Sequence, residues 1–213
     1  MEAAMGWVQT LVLVTAMAGQ AAPSTDYPPP YPRPGTTALF ENDAVAVWDV
    51  AWLKQKYPLH RHRYDLIGVS YVEGDRIITQ GAAPGRLSKT QPWVFQANVA
   101  GNTHVEEGAS DPPMRAVLME VKAAEPKHEA VETPDAVRQI VGPPSWDNRR
   151  AFAWAVPPGT AAPLHRHVRD AVELVFSGAT PATTPTVTFV PAGTVHEGPA
   201  PDAGGRVFIF ELK

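Results

Sequence analysis

"PLHRHRYD", Pro58–Asp65, returns almost unchanged as "PLHRHVRD", Pro163–Asp170. Four of the seven histidines of this 213-residue chain thus sit in one tripeptide used twice. The surroundings repeat as well. Before each copy comes an apolar stretch carrying a tryptophan, Trp48 or Trp154, and after it an apolar run closes on Gly74 or Gly178. Further on, "AGNTHVEEG" (Ala100–Gly108) parallels "AGTVHEG" (Ala192–Gly198), each with Ala-Gly-x-x-His. Each half then ends on an apolar strand with Glu-x-Lys, Glu120–Lys122 and Glu211–Lys213. A fixed order of elements occurring twice predicts a duplicated unit.

The repeats set the domain boundaries. The expectation is an N-terminal unit over 37–122 and a C-terminal unit over 147–213, joined by a linker over 123–146. Thr133 and Pro134 ahead of "DAVRQIV" predict a short helix in that linker, ended by Gly142-Pro143-Pro144. Elsewhere the apolar residues alternate with period two, as in "AVAVWDV" and "TVTFV", and 23 prolines and 16 glycines punctuate short segments. Each unit therefore reads as antiparallel and all-β, closed into a barrel or sandwich that removes its free edges. The second unit has only "ATPATT" between Gly178 and Pro185, where the first has "DRIITQGAAPGRLSKTQP", so the second is expected to be trimmed.

The N-terminus reads differently. Its apolar run from Gly6 to Ala18 has the length of a signal-peptide core, and Ala16-Met17-Ala18 before Gly19 suits cleavage, although Glu2 stands where a basic residue is usual. Residues 1–18 are expected as a signal peptide, the localisation as periplasmic or secreted, and the mature chain without a membrane span. Residues 19–36, rich in proline, read as an extended linker outside the core, with the fold beginning near Thr37. The absence of cysteine means that stability rests on the core rather than on disulfides. A net charge of −4 and no Lys/Arg-rich block argue against nucleic acid as a partner. Oligomerisation is left open.

In a strand, residues i and i+2 share a face. His60 and His62 therefore point one way and Arg61 the other, as do His165 and His167 against Arg166. A third histidine in each half, His104 and His196, follows a glycine turn. Two imidazoles from one strand and one from another can hold a metal with a coordination position left open. A single histidine would read more simply as a satisfied core or surface group. The same ordered set of three, found twice, points to metal ligation.

These residues resemble the cupin superfamily, and the doubling resembles a two-barrel bicupin. The first family motif, G-x5-H-x-H-x3–4-E-x6-G, is matched at Gly159, His165, His167 and Gly178, and in the first half at His60, His62 and Gly74. The centre of the second, P-x-G-x2-H, is matched at Pro191, Gly193 and His196, and less fully at Gly101 and His104. The resemblance implies two tandem small antiparallel β-barrels of the double-stranded β-helix, jelly-roll type. It implies a divalent transition metal (Fe, Mn, Zn, Ni or Cu) at His60, His62 and His104 and at His165, His167 and His196. It also implies a small-molecule ligand or substrate, with dioxygenase-, isomerase- or lyase-type chemistry or a non-catalytic binding role.

Counting back from the closing glycines places the family's ligand glutamate at Ile67 and Ala171, neither of which binds metal. Three-histidine sites are therefore expected. Asp65 and Asp170, each three residues after the second histidine, are candidates for a fourth ligand or for holding an imidazole, and read equally well as turn residues or exposed acids at a strand end. Glu173, two residues beyond Ala171, faces the same interior and is the candidate general base, with Val69 as its counterpart in the first half. No basic cluster suited to an anionic substrate is evident.

Overall fold

A computed structural model describes residues 26–123, 144–160, 164–178, 183–199 and 204–213. The signal peptide expected over 1–18 and the helix expected after Thr133 lie outside the described residues. Among those described there are sixteen strands and no helix, and no helix long and apolar enough to cross a membrane.

The first repeat runs β1 (Thr36–Glu41), β2 (Val45–Ala51), β3 (His60–Arg61), β4 (Asp65–Val72), β5 (Gly74–Thr79), β6 (Arg86–Thr90), β7 (Phe95–Asn98), β8 (Thr103–Gly108) and β9 (Arg115–Val121). The second runs β10 (Trp146–Asn148), β11 (Ala151–Val156), β12 (Leu164–Arg166), β13 (Ala171–Phe176), β14 (Thr186–Val190), β15 (Val195–Glu197) and β16 (Arg206–Leu212). Each repeat opposes a five-stranded sheet to a smaller one. The large sheets have the orders β1-β2-β9-β4-β7 and β10-β11-β16-β13-β14, and the small ones β3-β8-β5-β6 and β12-β15. The strands pair antiparallel throughout. This is an all-β jelly roll built twice. The trimmed second copy has no counterpart of β5 and β6 among the described residues, as its short Gly178–Pro185 interval leads one to expect.

Both faces of each large sheet are apolar, for two reasons. One set of alternate residues fills the barrel interior: Val50, Leu66, Ala116 and Leu118 in the first repeat, Trp154, Val156, Val207 and Ile209 in the second. The other set forms one continuous core between the repeats, where Val47, Ile67, Val69, Val117 and Met119 meet Val172, Leu174, Phe208 and Phe210. The two large sheets thus pack face to face. Phe95 stacks on Trp146 at 5.2 Å and Phe40 on Phe189 at 5.8 Å across that seam. Buried Asp49 receives hydrogen bonds there from Tyr71 (2.7 Å) and Thr184 (3.1 Å) and pairs with Arg115.

The proline-rich segment departs from expectation. Residues 26–36 are not a spacer outside the core. Tyr31 is buried with Trp52 and Tyr57 in the first barrel, and the carbonyls of Pro28 and Gly35 accept bonds from Arg61 (3.1 Å) and Ala51 (2.7 Å). Proline lacks an N–H but keeps its carbonyl, and a segment locked near one φ loses little entropy on docking.

Candidate metal centres

In both repeats the first histidine of the tripeptide pairs across the small sheet with the third histidine, His60 with His104 and His165 with His196. The register therefore places the Ala-Gly-x-x-His histidine directly opposite the tripeptide. A local device repeats with it. The Gly101 N–H donates to the His62 carbonyl (2.8 Å), and the Gly193 N–H to that of His167 (2.9 Å). The preceding residue's N–H donates to the aspartate, Ala100 to Asp65 (2.8 Å) and Ala192 to Asp170 (2.9 Å). Gly101 and Gly193 have φ of 85° and 80°, which only glycine adopts without strain. The two aspartates are thus neither ligands nor imidazole partners. They fasten the turn that delivers the third histidine, and Asp65 also pairs with Arg149 and Arg150 of the second repeat.

His60, His62 and His104 bring their ring nitrogens within 4.8 Å of one another. Their ring centroids lie 4.6 to 5.3 Å apart. His60 Nδ1 meets the Pro58 carbonyl at 3.1 Å and His104 Nδ1 meets the Asn102 amide at 3.2 Å. The Nε2 atoms of all three are buried with no hydrogen-bond partner. Burial, with the neighbouring imidazoles, lowers His62 to about 3. Burial also lowers His104, to about 4 against the pull of Glu106. Neutral rings with orphaned lone pairs on one point fit a cation better than they fit any other neighbour here.

The second cluster has four members: His165, His167, His196 and Glu173. His165 and His167 hold their Nε2 atoms 3.3 Å apart. Glu173 Oε1 lies 3.4 Å from His167 Nε2 and 3.7 Å from His196 Nε2. Ligands about 2.1 Å from one ion at tetrahedral angles sit about 3.4 Å apart, so these spacings suit a shared cation. Glu173 Oε1 and His196 Nε2 have no hydrogen-bond partner. Behind His167, buried Glu211 takes Nδ1 at 3.1 Å, the carboxylate that fixes a ligand imidazole from behind. Burial opposes a charge on His167, but the adjacent carboxylates of Glu173 and Glu211 outweigh it and hold its pKa up at about 9.

Glu173 therefore belongs to the group of side chains that could hold a metal, where the sequence reading made it a general base beside a three-histidine site. Its counterpart is Gly68, not Val69: Glu173 pairs with Ile209 and Gly68 with Leu118, the corresponding residue of the last strand. Val69 and Ile67 point into the seam between repeats. The count slipped because β4 carries a register irregularity between Ser70 and Val72, and one added residue moves every later side chain to the other face.

The first centre has its own carboxylate, unforeseen from sequence. Glu106 lies two residues after His104 on β8, on the same buried face. Its Oε1 is 3.7 Å from His104 Nε2, yet it stays outside the three-histidine group. Arg33 (2.8 Å) and Arg76 (3.3 Å) hold it. Burial pushes its pKa up, but the two guanidinium groups prevail and hold it at about 2. Arg33 lies over Tyr57 at 3.8 Å and Arg76 over Trp52 at 4.6 Å. Arg76 also reaches Gln96 (3.3 Å). So there is a basic cluster, assembled from the proline-rich segment and β5. It borders a cavity of about 430 Å³ shared by His62, His104, Arg76, Arg86, Gln96 and Asn98. The second centre is more open: the His196 side chain is 19% exposed and that of His104 is 3%.

The sequence matches no protein-family model and no curated protein. Solved structures are similar in fold. AerE from Microcystis aeruginosa is 13% identical, with 85% of this chain and 94% of AerE covered and a TM-score of 0.52. A cupin domain from Bordetella pertussis is 24% identical over 44% of this chain and 99% of its own length, with a TM-score of 0.39. Oxalate decarboxylase from Lactobacillus farciminis is 12% identical over 81% and 77%, with a TM-score of 0.41. The jelly roll, its doubling, and the histidine pair answered by a third histidine from the opposing strand agree on one assignment: this chain has the fold of the cupin superfamily, built twice in one polypeptide.

Proposed function

We propose that this protein binds a divalent transition metal at both histidine clusters and acts on a small organic molecule in the first barrel, by oxygenase-, isomerase- or lyase-type chemistry. The observation that carries the reading is the set of buried, unpartnered ring nitrogens of His60, His62 and His104 beside a cavity of about 430 Å³. His60, His62 and His104 would hold one ion, and His165, His167, Glu173 and His196 the other. Imidazole-rich sets suit Fe, Mn, Ni, Cu and Zn alike. When bound, the metal supplies Lewis acidity or, if redox-active, electron transfer to dioxygen. The chain's part is to orient the ligand through Arg76, Gln96 and Asn98 and to close the cavity floor with Tyr31, Trp52, Leu66 and Leu118. Export, expected from residues 1–18, belongs to the same proposal, and N-terminal sequencing of the mature protein tests it.

A non-catalytic binding role has one observation in its favour. Glu106 is the only acidic residue among the described residues lining that cavity, and the two arginines that pair with it hold its pKa low, which makes it a weak base. Metal analysis of purified protein tests the shared premise. The expected result is two ions per chain, falling to one in the double variant His60→Ala/His62→Ala and to one in His165→Ala/His167→Ala. Wild-type protein that is purified without metal and takes none up on titration would end the reading.

A further inference from the structure

The two centres differ in one respect that bears on what the first one binds. In the second, the chain supplies its own carboxylate: Glu173 presents a buried, unpartnered oxygen to His167 and His196. In the first, the equivalent position of β4 is Gly68. A side chain is impossible there, since a Cβ would come within 2.0 Å of the Val117 carbonyl oxygen. The nearest carboxylate, Glu106, approaches His104 but is turned to Arg33 and Arg76. At the position matching Glu106 the second repeat has Gly198. Each repeat thus offers one carboxylate, and only one of the two is free for metal.

Charge follows the same division. Glu173 and Glu211 stand at the second centre, and among the described residues their ion pairs are with His167 and His196. Around the first, Arg33 and Arg76 outnumber Glu106, and Arg86 lines the same cavity. The Arg76 Nε is buried with no hydrogen-bond partner. Arginine presents paired N–H donors that match a carboxylate, and a metal ion would add to the same sign of field.

Resting on the metal reading above, we propose that the first centre leaves its carboxylate position to a small carboxylate ligand drawn from the cavity, and that Arg33 with Arg76 keeps Glu106 from filling it. The proline-rich segment is then part of the first centre, since it carries Arg33 and is pinned there by buried Tyr31. Arg33 is a positioning residue in this scheme, acting through Glu106, whereas Arg76 both holds Glu106 and faces the ligand in the cavity.

The test uses the full chain with the second centre disabled by His165→Ala/His167→Ala, loaded with Mn(II). The probe is acetate, read by relaxation of its methyl protons, with acetamide as the neutral control. Acetate is expected to relax strongly and acetamide weakly. Arg33→Met should let Glu106 turn to the metal, tightening Mn(II) about tenfold, as ligand charge count does elsewhere, and weakening acetate relaxation. Arg33→Met with Glu106→Gln should restore it. Arg76→Met gives a second release of Glu106 if Arg33→Met folds poorly, read by Mn(II) affinity alone because Arg76 also lines the cavity. Mn(II) bound with acetate unrelaxed overturns this proposal alone. So does a Glu106→Gln variant that loses Mn(II), because Glu106 would then already be a ligand. Failure of the first centre to take Mn(II) at all overturns this proposal and the metal reading together.

Discussion

At the scale of single residues, the histidines were legible in sequence, and of the carboxylates only Glu173 was singled out, as a base and not as part of a metal-binding group. The six histidines are legible because a strand alternates strictly, and His-x-His can only put both rings on one face. Glu173 lies past the spacing the family motif prescribes, and a count from Gly178 gave no sign that β4 and β13 differ by one residue before their closing glycines. Glu211 was visible as half of a repeated Glu-x-Lys, yet nothing in that pattern says that one copy faces a histidine while the other, Glu120, accepts a bond from Trp48 (3.1 Å). Such partners are set by which strand passes behind which ring, a property of the closed barrel. Two outcomes are expected. Glu173→Gln should lower metal affinity of the second centre sharply and leave the first unchanged. Glu211→Gln should lower it about 10- to 100-fold, by loosening His167 rather than removing a ligand. Metal titration of protein with the first centre disabled by His60→Ala/His62→Ala measures both, and equal affinity of Glu211→Gln and its parent would remove Glu211 from the site.

Among elements, the turn before the third histidine matters most, because it converts a sequence motif into a position in space. Its Ala-Gly pair was visible as a repeat, and the glycine's role follows from its positive φ. The aspartate was legible as a turn residue but its partner was not, since Asp65 and Ala100 lie far apart in sequence and meet only when β4 pairs with β7. Gly101→Ala has room for its methyl, the nearest atom being Arg61 Nη2 at 3.8 Å, so its cost is backbone strain alone, about 1–2 kcal/mol. The expected reading is a modest fall in stability by chemical denaturation, with weaker metal binding at the first centre only. Asp65 adds a pH dependence. Burial disfavours its charge, but the Ala100 N–H and Arg149, with Arg150 nearby, lower its pKa below the usual carboxylate value. A depressed native pKa gives stability that is complete above the unfolded value, about 4, and is lost as pH falls through the native one. The Tm difference between wild type and Asp65→Asn should therefore be constant near neutrality and close in acid. A gap that widened in acid would refute the assignment.

For the whole molecule, the tandem arrangement was legible, but the way the copies meet was not. The repeats read as two barrels on a linker. Instead their large sheets share one core, and apolar residues on the second face of each strand, such as Ile67 and Val172, mark that shared surface. A run apolar at every position signals a strand buried on both sides, and "VFIF", Val207–Phe210, carries that signal, but a single sequence does not name the covering partner. The consequence is thermodynamic coupling. Phe210 is fully buried in the seam and touches Phe95 of the first repeat at 5.8 Å between ring centroids. Phe210→Ala removes a large side chain from a core neither repeat can close alone, at a cost of about 3–5 kcal/mol. If the shared core joins the repeats into one cooperative unit, calorimetry of the variant should show a single transition at lower temperature. Metal release from both centres should then move with it, although Phe210 belongs to the second repeat and its side chain lies in the seam core. Two separated transitions, with the first centre holding its metal to the wild-type temperature, would mean that the barrels unfold independently despite the shared core.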